Sequence, residues 1–434
     1  MPQISPFRGL RFDPSRVGDV GAALCPPYDV ITPSERLRLL DQSPFNIVRV
    51  ELSSDERGDT TDGNRYTRAA DLLRDWRASG ALFEEAHFAY YLSAHTFSWA
   101  GRSYTRHGLF SAVRLRPWAD GVVLPHEETF SGPKEDRFKL LTATNVNVSP
   151  VFMVLRQQPE ALMDAWTAAE ASSPTLDISM DGQRQRLWLV DDPAVVSAIA
   201  EQLEGRTLYV ADGHHRYETA LLYSAERSAA EQLPPEHPVH FVLTYIATMD
   251  DPDLVVLPTH RLVRGVSPER VREIIRGYGA AMAPQSMALD DSMALSEAQR
   301  RLDALALDAP SFGVISADEG NLTLYSLTDP TVMERLAPNA PPAWRALDVS
   351  VLQTLVLDPL LPTHQERDAS VMYTRDASEA LHDIRAGDVQ VAFLMSTPLV
   401  SAMANIADAH ARMPEKSTYF YPKVPTGLVM RSIA

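Results

Sequence analysis

The densest run of side chains able to do chemistry is Asp212-Gly213-His214-His215-Arg216, preceded by the apolar Leu208-Tyr209-Val210-Ala211 and followed by Tyr217-Glu218-Thr219-Ala220. A β-type run that meets Asp-Gly and continues into helix formers predicts a strand, a tight turn and a helix N-terminus. Such a terminus presents backbone N–H groups and a positive dipole, and Gly213 lets an anion approach the backbone closely. With His214, His215 and Arg216 adding donors, the stretch reads as a phosphate-binding site. Asp212 is the exception, because a carboxylate beside phosphate is unfavourable unless a cation such as Mg²⁺ lies between them. That makes Asp212 the expected Mg²⁺ ligand. Zinc is a lesser alternative: His214 and His215 lack the i,i+4 spacing that puts two imidazoles on one helical face, and Cys25 is the only cysteine.

Three further patches could take part. His126-Glu127-Glu128 follows the apolar Val122-Val123-Leu124-Pro125, which places carboxylates at a strand end, where open α/β folds bind ligands. Lys134 and Arg137, just beyond, are expected phosphate contacts, whereas Lys139 reads as a helix-surface charge in an i,i+3 or i,i+4 pair. In Lys416-Ser417-Thr418-Tyr419 a cation followed by two hydroxyls suits a carboxylate or a phosphate, though an ordinary turn explains it equally well. Pro26-Pro27-Tyr28-Asp29 is a stiff loop with either a cleft-facing or a structural role, and His260 reads as structural. No Walker loop, dinucleotide-type glycine pattern or nucleophile elbow occurs.

The elements that must position these groups alternate between helix and strand along the whole chain, which predicts a mixed α+β fold. Thr32-Pro33-Ser34-Glu35 has the form of a capping box and starts a helix to about Ser43; a strand is expected at Asn46 to Leu52, and a helix with Ala69, Leu72, Leu73 and Trp76 on one face. Two β-rich runs, His87 to Trp99 and Arg102 to Leu115, flank Ala100-Gly101 and predict a hairpin. A helix from about Pro133 to Thr144, a buried strand at Ser149 to Leu155, a helix over about 159–171, a strand at Arg186 to Val190 and a helix opened by Asp192-Pro193 lead into the phosphate stretch. Asp250-Asp251-Pro252-Asp253 reads as a domain seam, and strands and helices continue from there to the irregular run Met413 to Lys423.

Composition bounds the rest. A chain of 434 residues predicts two or three domains. A formal net charge of -17 opposes non-specific binding of nucleic acid or anionic lipid, so the expected partner is a small molecule held in a local basic pocket. The single cysteine excludes an intramolecular disulfide framework, no run of about 18 apolar residues appears, and a cytoplasmic protein is expected.

Asp212 to Arg216 after an apolar strand, Pro125-His126-Glu127 ahead of it, and Pro414 with Lys416-Ser417-Thr418 near the C-terminus together resemble free serine kinases of the ParB/sulfiredoxin-like fold. The whole chain, from Pro26-Pro27-Tyr28-Asp29 through Lys134-Glu135-Asp136-Arg137 to the C-terminal Lys-Ser-Thr-Tyr-Phe-Tyr-Pro-Lys run, is similar to a bacterial and archaeal family known as domain of unknown function 1015.

The resemblance implies an N-terminal α/β region at 1–115, a ParB/sulfiredoxin-like core at 116–250 and a C-terminal α/β domain at 251–434. It implies phosphoryl transfer from ATP, ADP or pyrophosphate, with Mg²⁺, to the hydroxyl of free L-serine. Glu127 would be the base, Asp212 and His215 would assist catalysis, and Gly213, His214, His215 and Arg216 would bind donor phosphates. His126, Lys416, Ser417 and Thr418 would bind the amino acid. The chain departs from those kinases in the long segment ahead of the core, in a longer span between the Glu and Asp-Gly-His-His-Arg motifs, and in having Tyr419-Phe420 where they carry Arg-His. Two other expectations stand beside this one: a non-catalytic nucleotide-binding switch of the ParB type, and a metal-dependent hydrolase using His126, His214 and His215.

Overall fold

The structure is a computed structural model, described here for residues 3–127, 131–289, 292–318 and 321–434. The chain divides into two compact units, the first made of residues 1–125, 129–255 and 422–434 and the second of 126–128 and 256–421. Both are mixed α/β.

The first unit is built on a nine-stranded sheet. Its order is Val123–Leu124, Leu208–Asp212, Val151–Leu155, Phe241–Thr248, Arg102–Arg114, Tyr90–Trp99, Gln183–Val190 and Leu176–Met180, with Ile4–Ser5 also pairing Arg102–Arg114. The expected hairpin forms the long antiparallel ladder, with Trp99 opposite Arg102. Ala100 and Gly101 turn it at φ 47° and 77°, the left-handed pair that matches strand twist in a two-residue loop. Val151–Leu155 runs between an antiparallel and a parallel neighbour and is buried along its whole length, as its unbroken apolar sequence requires. Trp166, Ile199, Leu203, Tyr217 and Val242 pack into one core around this sheet. A smaller four-stranded sheet pairs Gly9–Phe12 with Leu82–Glu84 on one side and Met430–Ser432 on the other, so the C-terminal strand is tied to the N-terminal one.

One expected strand is a helix instead. Ile47, Val48 and Val50 favour a strand by type, yet Val48–Glu51 is helical. The Asn46 side chain accepts from the Val48 amide and donates to the carbonyls of Ala22 and Leu24. That local capping and the burial of Val48, Val50 and Glu51 override β propensity.

The second unit carries a six-stranded antiparallel sheet, ordered Met282–Ala288, Asn321–Leu327, Ser311–Ser316, Val391–Met395, His260–Val263 and Val371–Thr374. Helices Ser292–Asp308 and Ala377–Ala386 supply Leu295, Leu302, Leu381 and Ile384 to its core. His260, expected to be structural, is 1% exposed, and its Nδ1 accepts from the Met395 amide. Burial lowers the imidazole to a pKa of about 4, so it is neutral at physiological pH. Among the described residues no helix is long and apolar enough to cross a membrane.

Candidate functional site

In the first unit the phosphate stretch folds as its sequence predicts: strand Leu208–Asp212, a turn at Gly213, then helix His214–Glu231. Two local features aim its side chains. The strand slips register against Val151–Leu155 between Val210 and Asp212, so Ala211 is an extra residue at the end of the ladder; such a bulge re-aims the residue that follows. Gly213 sits at φ 90°, and a Cβ there would lie 3.0–3.1 Å from the Arg216 guanidinium. Only glycine permits both that backbone and the close return of Arg216 over it.

Asp212 lies between two cations. Arg216 Nη2 donates to Asp212 Oδ2 at 2.5 Å, the Lys423 ammonium pairs with Oδ1, and Arg216 also donates to the Pro150 carbonyl. The Asp212 side chain is 14% exposed and that of Lys423 9%. Burial pushes the Asp212 carboxyl upward, but the fields of Lys423 and Arg216, the Lys423 hydrogen bond and His214 outweigh it and hold the group well below the usual carboxylate range. Burial works against the Arg216 charge as well, yet Asp212, Asp29 and Tyr28 keep it firmly protonated. One carboxylate between two cations leaves a net positive charge at a helix N-terminus, which suits an anion. His214 is buried and His215 half-buried on the first helical turn.

This arrangement changes the expected role of Asp212. A Mg²⁺ ion takes oxygen donors and keeps several waters, whereas both Asp212 oxygens already accept from cations. Among the described residues no group of three or more His, Cys, Asp or Glu side chains is placed to hold a metal. With both oxygens engaged by cations, Asp212 is placed as a counter-ion to Arg216 and Lys423.

Lys134 and Arg137, expected at the phosphate, are engaged elsewhere on helix Ser131–Thr144. Lys134 Nζ meets Glu218 Oε2 at 2.7 Å, and Glu218 also accepts from Trp118. Arg137 bonds Asp136 and the Glu51 carbonyl, lies 3.3 Å from the Glu51 carboxylate, and stacks 4.2 Å over the Tyr28 ring. Burial raises the Glu51 carboxyl and drives the Tyr28 hydroxyl up to about 12. Arg137 thus anchors the Tyr28–Asp29 loop, whose Asp29 carboxylate acts on Arg216. Lys139 pairs with Glu135 one turn away, as a surface charge should.

The second unit holds the other expected group. Glu127 forms a parallel bridge with Met413, whose amide donates to the His126 carbonyl at 2.7 Å. His126, 1% exposed, shares a 2.8 Å hydrogen bond between Nε2 and Thr418 Oγ1. Glu127 Oε1 accepts from the Ser417 amide at 3.2 Å and lies 3.9 Å from His126 Nε2. Ser417 is buried and its hydroxyl bonds the Pro414 carbonyl, while Lys416 is exposed at φ 54°. Arg261 secures the bend from beneath by donating to the Glu415 and Lys416 carbonyls at 3.1 and 3.3 Å. His126, Glu127, Ser417 and Thr418 are therefore one hydrogen-bonded cluster. Glu128 lies outside the described residues.

Lys423 and Arg261 are the groups that residue types did not single out. Lys423 stands 211 positions from Asp212, within Tyr421-Pro422-Lys423-Val424, and its one visible signal is a cation inside an apolar run. Arg261 follows His260 in a strand and shows no signal beyond an arginine among buried neighbours.

The family model described as "Protein of unknown function (DUF1015)" matches residues 4–350. The match ends ahead of Lys416–Thr418 and Lys423. A comparison with curated proteins finds no significant relative. Among solved structures, a free serine kinase in complex with AMP is similar at TM-score 0.35 and 14% identity, over 74% of this chain and 92% of that one. A mutant of a free serine kinase in complex with ADP gives the same values. SbnI with a C-terminal truncation, from Staphylococcus aureus, is similar at TM-score 0.35 and 10% identity, over 73% and 84%.

Proposed function

This chain belongs to that family of unknown function, and on that premise we propose that it is a small-molecule phosphotransferase. The reaction assigned is transfer of a phosphoryl group from ATP, ADP or pyrophosphate to the hydroxyl of free L-serine, giving O-phosphoserine. The observation that carries the reading is the Lys423–Asp212–Arg216 triad at the N-terminus of helix His214–Glu231, with its net positive charge.

Phosphoryl transfer needs little covalent help from a protein; positioning and charge neutralisation do most of the work. In the proposed reaction the serine oxygen forms a bond to phosphorus as the bond to the donor's bridging oxygen breaks. Glu127 takes the hydroxyl proton. Arg216, Lys423, His214, His215 and the amide groups after Gly213 neutralise the charge that gathers on the phosphoryl and leaving-group oxygens. His215, half-buried on the first helical turn, contacts the transferred phosphoryl in this reading. Asp212 keeps Arg216 and Lys423 fixed in position. His126, Lys416, Ser417 and Thr418 hold the amino acid. No step is assigned to a protein-bound Mg²⁺, because its expected ligand is already neutralised.

The test is incubation of the purified chain with L-serine and each of ATP, ADP and pyrophosphate, in the presence and absence of Mg²⁺, with O-phosphoserine read by mass spectrometry. Product with at least one donor is expected. Its absence with all three sinks the assignment.

A further inference from the structure

The second unit contains a cavity of about 510 Å³, within the range that holds a drug-sized ligand and far larger than serine needs. Its walls are mainly apolar, with Leu347, Val349 and Ala402 among them. At its rim stand Leu307 and Leu399, 73% and 57% exposed. Large apolar side chains held in water beside a cavity are what a ligand with an apolar body would cover.

The polar groups in this cavity are of both signs. Arg261 lines it, is only 3% exposed, and donates to the carbonyls of Thr259, Glu415 and Lys416. Among the described residues no carboxylate forms an ion pair with it. Its hydrogen bonds go to carbonyls, the Tyr373 ring lies 5.7 Å away and Glu127 acts on it only through its field; a guanidinium so placed keeps its charge where solvation is poor, and a bound carboxylate would compensate it. Asp303 and Asp348 line the same cavity. Asp348 accepts from the Ser311 amide and the Ser396 hydroxyl, and Asp303 from the Thr397 amide and hydroxyl and from Gln299. Each carboxylate keeps acceptor capacity beyond these bonds. Burial, and to a smaller extent the charge of Asp303, raise the Asp348 carboxyl to about 6, a repulsion that a cation between the two would relieve.

We propose that this cavity binds a small zwitterion with an apolar body, its carboxylate on Arg261, its ammonium on Asp303 and Asp348, and its body against Leu347, Val349 and Leu399. A phosphate dianion is disfavoured there, because two carboxylates share the space with one guanidinium. Ser417 lines the cavity too, and its amide holds Glu127. The inference does not depend on the phosphotransferase reading: its ligand needs no hydroxyl and is distinct from the serine acceptor assigned above.

The test is calorimetric titration of the full chain, without any phosphoryl donor, using L-phenylalanine, L-serine, 3-phenylpropionate and 2-phenylethylamine. L-Phenylalanine should bind at least tenfold more tightly than each of the other three, which lack in turn the body, the ammonium and the carboxylate. Arg261→Gln should weaken it at least tenfold; Leu399→Asp, at an exposed position where folding is not at stake, should do the same. Binding of L-phenylalanine no tighter than that of L-serine, or binding indifferent to Leu399→Asp, overturns the inference. Tight L-phenylalanine binding with no phosphoserine from any donor leaves the cavity reading standing and removes the phosphotransferase reading. O-phosphoserine formation without L-phenylalanine binding does the reverse.

Discussion

The two clusters of polar side chains are built on opposite principles. Around Asp212 the partners are charges: one carboxylate, two cations and a helix N-terminus, nearly withdrawn from solvent. Around Glu127 the direct partner is a backbone amide, with the His126 imidazole 3.9 Å away and the Arg261 guanidinium hydrogen-bonded to carbonyls, so that it acts on the carboxylate only through its field. The first is a coupled charge cluster with one cation in excess, whose carboxylate cannot be removed without leaving two neighbouring buried cations. The second is a backbone scaffold that presents one carboxylate, and most of its members can change without exposing an uncompensated charge. The difference fits the labour assigned to each: neutralising phosphate in one, taking a proton in the other.

Substitutions that unbalance the first cluster should have the largest effects. Asp212→Asn leaves Arg216 and Lys423 as neighbouring buried cations and is expected to cost about 3–5 kcal/mol of stability, read by denaturant unfolding. Pairing it with Lys423→Met should recover a substantial part of that loss. If the double variant is no more stable than Asp212→Asn alone, the coupling is not the one described. Arg216→Ala should lower phosphoryl transfer by about 10²–10³-fold. In the second cluster, Glu127→Gln should reduce turnover by about 10²–10⁴-fold with the unfolding midpoint unchanged. Thr418→Val removes the His126 hydrogen bond and should cost about 1 kcal/mol, an effect far below that of Asp212→Asn.

The carboxylates also separate by pH. Asp212 is held below its ordinary range, so its stabilising contribution is present above about pH 4 and is lost as pH falls through its folded value. Asp348 is raised to about 6 from 3.8, so the folded second unit binds a proton the unfolded chain does not, and stability falls as pH rises from about 4 to about 6. Asp348→Asn should flatten that decline, by an amount on the order of 1–3 kcal/mol. A decline of the same size in the variant assigns it to another group.

Much of this was legible from residue types, and the failures have a physical pattern. Local signals held wherever the chain makes its own contacts: the Thr32 side chain caps helix Pro33–Gln42 through the Glu35 amide, Ala100-Gly101 turns the hairpin, and Gly213 joins strand to helix. The segment at Val48–Glu51 escaped because Asn46 reaches back to Ala22 and Leu24, a contact no propensity carries. The metal expected at Asp212 came from seeing one carboxylate among donors in sequence, with the compensating ammonium of Lys423 hidden on a distant segment. Arg137 was recognised as a cation, but its role is set by Glu51, Asp136 and Tyr28, which only the fold brings to it. Long-range ion pairs are the part of a site that spacing cannot show.

The division of labour is tested most directly by titrating ADP into the wild-type chain, Glu127→Gln and Arg216→Ala, following heat of binding and checking each folded state by circular dichroism. Glu127→Gln should bind ADP as the wild type does while forming phosphoserine about 10²–10⁴-fold more slowly, and Arg216→Ala should bind it at least tenfold more weakly. Unchanged ADP affinity in Arg216→Ala, with affinity lost in Glu127→Gln, would contradict the assignment of donor phosphates to the Asp212 cluster.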